Sequence, residues 1–364
     1  MYRALSLAVA GFLAACVSPP TLPPAPNVLE VGSADGSVVA LANPKGTLKY
    51  LTSAVDEDEA RTLRELAPNV EFVYGLDEDE MLARATEFHG ADAHLVTPAF
   101  LAAADNLHWV QAWSAGVDRY VDLDGLRDEE RIVLTNMQGI HGPVIAEHVM
   151  ALMLALSRDL PGYLQAQERG EWERDAGSGQ RALAGSTLLV AGMGGIGTEV
   201  ARRGHGFDMR VLATVRTKRA APAFVSELGT DEDFERFLPE ADFVVIALPL
   251  TSETEGLFDA RVLELMKDDA VLINIGRGPI IDTDALVAAL REGRLGGVGL
   301  DVTDPEPLPA GHPLWNMDDV IITPHVAGRA ALTGKRRELL FRENVRRFGA
   351  GEPLLNVVDK AAGY

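Results

Sequence analysis

One cysteine in 364 residues leaves no internal disulfide to staple the fold, and the 8 histidines form no Cys/His group with zinc-ligand spacing. Basic side chains are also short. With 33 Lys and Arg against 54 Asp and Glu, the net charge is −21, and general nucleic-acid binding, which needs a broad basic face, is excluded. Aromatics are scarce at 6%, which with 35 glycines argues against a β-sandwich and for alternating elements joined by tight turns. No apolar run reaches the roughly 18 residues of a membrane-spanning helix. What the chain does have is burial capacity: 47% hydrophobic residues, enough for two domains.

The lone cysteine has an informative setting. Arg3 precedes an apolar stretch of signal-peptide length, Ala4 to Ala15, and Leu13-Ala14-Ala15-Cys16 resembles a bacterial lipoprotein cleavage box. Pro19, Pro20, Pro23, Pro24 and Pro26 then make an extended tether. Residues 1–26 therefore read as signal peptide and tether, with a lipidated Cys16 as the one membrane attachment and the cell envelope as the location. A frayed N-terminal helix with an incidental cysteine in a cytoplasmic protein, or a mis-chosen start, is the alternative. Residues 27–46 read as further linker with one short strand.

From Leu48 onward short apolar runs alternate with helical patterns, the signature of βαβ units. Helices are expected at Glu57 to Leu66 and Met81 to Thr86, and strands at Val70 to Val73, Ala93 to Val96 and Trp109 to Trp113. This stretch holds no glycine-rich phosphate loop and is assigned to the substrate side. After a hinge at Gly139, Gly142 and Pro143 comes the apolar Val144 to Leu156, too short to cross a bilayer and read as a buried or subunit-interface helix. Six strands follow, at Thr187 to Ala191, Arg210 to Val215, Phe243 to Ala247, Ala270 to Ile275, Gly297 to Asp301 and Val320 to Thr323. Most are Val/Ile/Leu runs, as in parallel strands covered on both faces, and helices such as Thr198 to Arg203 and Thr283 to Glu292 separate them. The fold class is α/β with doubly wound parallel sheets.

Gly192-Met193-Gly194-Gly195-Ile196-Gly197 follows the first of these six strands and opens a helix, as a dinucleotide loop must. The first glycine permits the turn, the second lets backbone approach a pyrophosphate, and the third allows close packing of helix on strand. A methyltransferase-like loop or a plain glycine-rich turn is the alternative. Where an NAD site would carry an acid at the end of the next strand, this chain has Val215-Arg216-Thr217-Lys218-Arg219. Arg216 and Arg219 could clamp a 2′-phosphate, so NADP is preferred and NAD possible, the alternative being a solvated basic turn.

Three polar residues lie at or beyond the ends of later strands, where open α/β sheets bind ligands: Arg277, Glu306 and His325. Singly they could be a surface cation, a loop acid and a structural histidine. Together with Ser114-Ala115-Gly116-Val117-Asp118, Ala146-Glu147-His148, Asn274-x-x-Arg277-Gly278, Leu300-Asp301-Val302-x-x-x-Glu306-Pro307 and Thr323-Pro324-His325-x-Ala327-Gly328, they are similar to the D-isomer-specific 2-hydroxyacid dehydrogenase family. The blocks run in family order from about residue 48 to the C-terminus.

That resemblance implies two Rossmann-like domains, the cofactor domain (141–328) inserted in the substrate domain (27–140 and 329–364). His325 would be the acid–base residue, Glu306 would hold its imidazole and favour the charged form, and Arg277 would bind the substrate carboxylate and polarise its carbonyl. Backbone amides around Ala115 and Gly116 would receive the carboxylate, and Asp301 would contact the nicotinamide carboxamide. Leu248, Pro249, Asn274 and Ile275 complete the implied cofactor set. Trp113 and the basic turn resemble the NADP-linked glyoxylate/hydroxypyruvate reductase branch, with Thr97, Trp113 and Met137 as pocket candidates. The expected partner is a small 2-oxo or 2-hydroxy acid, and the expected assembly a homodimer. A helix from Gly334 to Arg347, rich in arginine, would lead the chain back to the first domain. The alternative from another class is a nucleotide-binding envelope lipoprotein with little or no turnover.

Overall fold

A computed structural model describes residues 46–174 and 180–363; Cys16 and the segments expected to be its cleavage box and tether lie outside the described residues. Two all-parallel sheets carry the fold. The first comprises β1 (Leu48–Leu51), β2 (Val70–Val73), β3 (Gly90–Asp92), β4 (Trp109–Gln111) and β5 (Val133–Thr135), in the order β2-β1-β3-β4-β5. The second comprises β6 (Thr187–Ala191), β7 (Arg210–Thr214), β8 (Glu227–Gly229), β9 (Phe243–Ile246), β10 (Val271–Asn274), β11 (Gly297–Leu300) and β12 (Val320–Ile322). Its order is β12-β11-β10-β9-β6-β7-β8, so the chain reverses direction across the sheet between β6 and β9. Every residue of β6, β9, β10 and β11 is buried, which explains why these strands are continuous apolar runs.

The structure corrects the expected strands in three places. The second sheet has seven strands rather than six; β8 is a three-residue edge strand, Glu-Leu-Gly, with no apolar run to mark it. Val133–Thr135 forms a strand that was not expected. The strand expected at Ala93 to Val96 is instead Gly90–Asp92, followed by a 3-10 turn at Ala93–Leu95. Two contacts fix it there. A Cβ on Gly90 would stand 2.6 Å from the Tyr50 ring, so only glycine fits. Buried Asp92 accepts hydrogen bonds from the Tyr50 hydroxyl (2.9 Å), the Thr52 hydroxyl (2.6 Å) and the Trp113 indole (2.8 Å), which together end the strand. Burial, and then the adjacent Asp92 carboxylate, hold the Tyr50 phenol well above its usual range. The helix expected from Met81 begins earlier, at Glu78–Ala83, because Asp77 and Glu80 form a capping box.

The hinge helix Gly142–Ser157 has Pro143 in its first turn and buries Val144, Ala146, Val149, Met150, Leu152 and Met153. It packs against the helix Gly195–Gly206 behind the glycine loop and so belongs with the second sheet. The C-terminal helix Ala331–Ala350 returns to the first. Its Leu340, Phe341, Val345 and Phe348 share one apolar core with Leu48, Tyr50 and Trp109, and Val357 bridges Thr135 of β5. The chain thus crosses between the two sheets twice.

Candidate active site

The glycine loop is built as its spacing predicts. Gly192 has φ +91°, and a Cβ there would meet the Ala247 carbonyl at 2.8 Å and the Leu248 side chain at 2.9 Å. A Cβ on Gly197 would collide with the Gly192 carbonyl, so helix and strand touch backbone to backbone. At Gly194, by contrast, nothing lies within 4 Å of where a Cβ would be: this face is open. Gly194 is also the N-cap of the following helix and offers no side-chain cap, so the first-turn amides and the positive end of the helix dipole face outward for a pyrophosphate. The residues present fit a dinucleotide. Met193 is buried and Ile196 half-buried, and both shape the turn. Arg216 and Arg219 are exposed beside the loop, and Arg219 donates to the Met193 carbonyl at 2.6 Å.

Arg277 stands on the turn after β10. Asn274 is fully buried and closes that turn: its side chain accepts from the Gly276 amide (3.0 Å) and donates to the Arg277 carbonyl (2.9 Å). Ile275 is buried beside it, and Leu248 and Pro249 lie half-buried at the end of β9. The side chain of Arg277 reaches across to the first sheet, where Nε (3.1 Å) and Nη2 (3.0 Å) both donate to Asp118 Oδ1. The guanidinium lies where a Cβ of Gly116 would be, so this glycine is required by the arginine itself. Among the described residues no acceptor takes the Ala115 or Gly116 amide. The Asn136 side chain and the Ser114 hydroxyl instead hold the carbonyls of that turn, at 2.9 and 2.6 Å.

His325 and Glu306 meet as expected: imidazole Nδ1 lies 2.9 Å from the Glu306 carboxylate, leaving Nε2 for chemistry. Both are partly exposed, at 46% and 40% of their side chains. His325 has φ +54°, a left-handed conformation costly for any residue with a Cβ. Asp301 over-determines it. The Asp301 carbonyl accepts the His325 amide (2.8 Å), while the carboxylate accepts the Thr323 hydroxyl (2.6 Å) and the amides of Val326 (2.9 Å) and Ala327 (3.0 Å). Asp301 is 3% exposed, so its carboxylate serves the backbone of the histidine turn.

The pocket candidates divide. Met137 is wholly buried in the core of the first sheet. Thr97 caps a short helix, its hydroxyl accepting the Phe100 amide. Trp113 is half-buried, pinned to Asp92 and packed on Phe341, and borders a cavity of about 630 Å³ with Thr52, Val55 and Arg342. Asp118, Thr323 and His148 were not singled out from sequence, although each lies inside a recognised block; their partners are 159, 22 and 175 residues away.

Residues 150–327 match the family model described as D-isomer specific 2-hydroxyacid dehydrogenase, NAD binding domain. The chain is 34% identical over 264 residues to the glyoxylate reductase of Pyrococcus furiosus, covering 71% of this chain and 77% of that one. It is similar to the crystal structure of a D-isomer specific 2-hydroxyacid dehydrogenase from Xanthobacter autotrophicus Py2 in complex with NADPH and MES. There the TM-score is 0.73 and the identity 33%, covering 88% of this chain and all of that one. The NADPH-dependent glyoxylate/hydroxypyruvate reductase of Sinorhizobium meliloti, in complex with NADP and sulfate, superimposes with a TM-score of 0.72. Its identity is 28%, over 87% of this chain and all of that one.

Proposed function

The chain belongs to the D-isomer specific 2-hydroxyacid dehydrogenases, and from that premise we propose that it reduces glyoxylate, hydroxypyruvate or a 2-oxo acid of similar size, with NADPH preferred over NADH. It is an oxidoreductase that moves a hydride between a nicotinamide dinucleotide and a small 2-oxo or 2-hydroxy acid. The observation that carries the substrate reading is the contact of Arg277 with the Ala115–Gly116 turn, which joins the two sheets at one point. The names of the relatives support the same acids, and the NADPH-bound relatives support the cofactor.

A bound dihydronicotinamide supplies the hydride that the carbonyl carbon accepts. The chain does the rest. The open first-turn amides after Gly194 would hold the pyrophosphate, and Arg216 and Arg219 would supply cations for a 2′-phosphate. The Ala115 and Gly116 amides receive the substrate carboxylate, and the guanidinium of Arg277, its inner edge held by Asp118, offers its remaining N–H groups to carboxylate and carbonyl oxygens. His325 gives its Nε2 proton to the carbonyl oxygen as negative charge builds there, with Glu306 orienting the ring through Nδ1.

Initial rates with glyoxylate and hydroxypyruvate, using NADPH and NADH in parallel, test this. Arg277→Ala is expected to lower kcat/KM by about a thousand-fold; full activity in that variant overturns the proposal. Replacing Arg216 and Arg219 by alanine together is expected to raise the KM for NADPH about ten-fold and leave that for NADH within about two-fold.

We further propose that the chain is a homodimer and that Cys16 anchors it in the envelope. Leu160, Leu164 and Trp172, exposed to 46, 59 and 90% just beyond the hinge helix, support the first. Light scattering that gives a monomer mass rejects it. For the second, wild type and Cys16→Ala both fractionating as cytosolic is the refuting result.

A further inference from the structure

Three side chains outside the expected catalytic set form a line from the hinge helix to the histidine turn. His148 projects from that helix, its side chain 23% exposed, with Nε2 2.9 Å from the Thr323 hydroxyl. Thr323 Oγ1 lies 2.6 Å from Asp301 Oδ1, and His148 Nε2 is 3.8 Å from the same oxygen.

The direction of these bonds is fixed by counting protons. A threonine hydroxyl has one hydrogen, and the carboxylate at 2.6 Å can only accept it. The hydroxyl oxygen is then an acceptor toward His148, whose Nε2 must carry the proton. The order is His148 to Thr323 to Asp301. Beyond Asp301, the same carboxylate and its carbonyl hold the amides of His325, Val326 and Ala327. Asp301 thus gathers one hydroxyl and three amides onto a segment in which His325 is held at φ +54°. A charged acceptor that is 3% exposed needs all its donors, because each one lost leaves a buried carboxylate lone pair unmatched.

We propose that His148 is a positioning residue for the reaction, fixing through the Thr323 hydroxyl and the Asp301 carboxylate the left-handed turn that presents His325. The inference rests on the reading of His325 as the proton donor. It ties the aim of that imidazole to the helix that begins at the hinge, so a displacement of the hinge helix is felt at the catalytic turn. Glu306 sets the rotation of the ring; the His148 line sets where the ring is carried.

Steady-state kinetics on a paired set of variants tests this. His148→Leu and Thr323→Val remove the donors and nearly keep the shape. Each is expected to lower kcat about ten-fold, as a small displacement of an acid–base group does, with KM for oxo acid and cofactor within about two-fold of wild type. His148→Gln and Thr323→Ser restore a donor and a hydroxyl and should recover most of the loss. The double variant His148→Leu/Thr323→Val should be no slower than the worse single one, since both act on one line. A readout independent of turnover is the His325 ring cross-peak in a ¹H–¹⁵N correlation spectrum, which should move in Thr323→Val and stay put in Thr323→Ser. Unchanged kcat in both donor-removing variants, multiplicative losses in the double variant, or equal losses in Thr323→Val and Thr323→Ser overturn the proposal. A wild-type chain without turnover on any 2-oxo acid would instead defeat the functional reading, while the His325 cross-peak would still report on the turn.

Discussion

The helix after β1 and the helix after β6 start from equivalent places, each at the carboxyl end of an inner strand of a parallel sheet, yet one is closed to anions and the other open. Glu57–Leu66 is capped by Asp56, whose carboxylate takes the Glu59 amide at 2.8 Å, and its first turn carries Glu57, Asp58 and Glu59. Gly195–Gly206 has Gly194 as its cap, no side chain over its amides and no acid in its first turn. The dipole is the same in both. The difference teaches that a phosphate site is made by leaving a helix end uncapped, and that filling the end with carboxylates turns the same architecture into a plain structural unit.

The strongest way to break the comparison is Gly197→Ala, whose Cβ would collide with the Gly192 carbonyl. A destabilisation of about 3 kcal/mol is expected in chemical denaturation, with cofactor affinity down by about a hundred-fold in fluorescence titration. A variant of native stability that binds normally would show that the loop does not need backbone contact.

A second effect lies at the seam between the two regions. Burial, and then the neighbouring Arg337, hold the His141 imidazole down at about 4 against an ordinary 6.5. His141 is therefore neutral in the fold, and its contribution is complete above pH 6.5, where the unfolded chain is also neutral. It is lost as pH falls from 6.5 toward 4, because the unfolded chain takes up the proton first. A loss of about 2 to 3 kcal/mol over that window is expected, and urea unfolding of His141→Gln should show a shallower acid dependence.

Asp56→Ala should cost about 1 kcal/mol and leave cofactor affinity untouched. Smallest in stability is Gly194→Ala, about 0.5 kcal/mol, since the position has room for a methyl group. Its cofactor affinity should nonetheless fall about ten-fold, because that room is where the pyrophosphate approaches. If Asp56→Ala weakened cofactor binding, or Gly194→Ala did not, the contrast between the two helix ends would fail.

What could be read from the chain alone follows the same physics. β6, β9 and β10 are runs of apolar residues buried on both faces, so local composition marked them. The glycine loop was legible because its requirements are local. β8 was not, being three residues at a sheet edge, and β3 was displaced because its end is set by Tyr50, Thr52 and Trp113, none of them adjacent in sequence. His325 and Glu306 could be named from their block, and they do meet. The bond from Arg277 to Asp118 could not be read, since it joins residues on different sheets and gives neither a periodicity. For the same reason the Arg277 guanidinium, which occupies the place a Gly116 side chain would take, could not be read either.

The return of the C-terminal helix has a consequence for the order in which the molecule can come together. Tyr50 lies against Phe341 and Trp109 against Phe348, so each pair joins residues synthesised before the second sheet to residues synthesised after it. The second sheet, contained wholly between the two crossings, has all its strands in hand before that helix exists. On a growing chain the nucleotide-side unit can mature first, while the first sheet waits for residues 331–350 to seal its core.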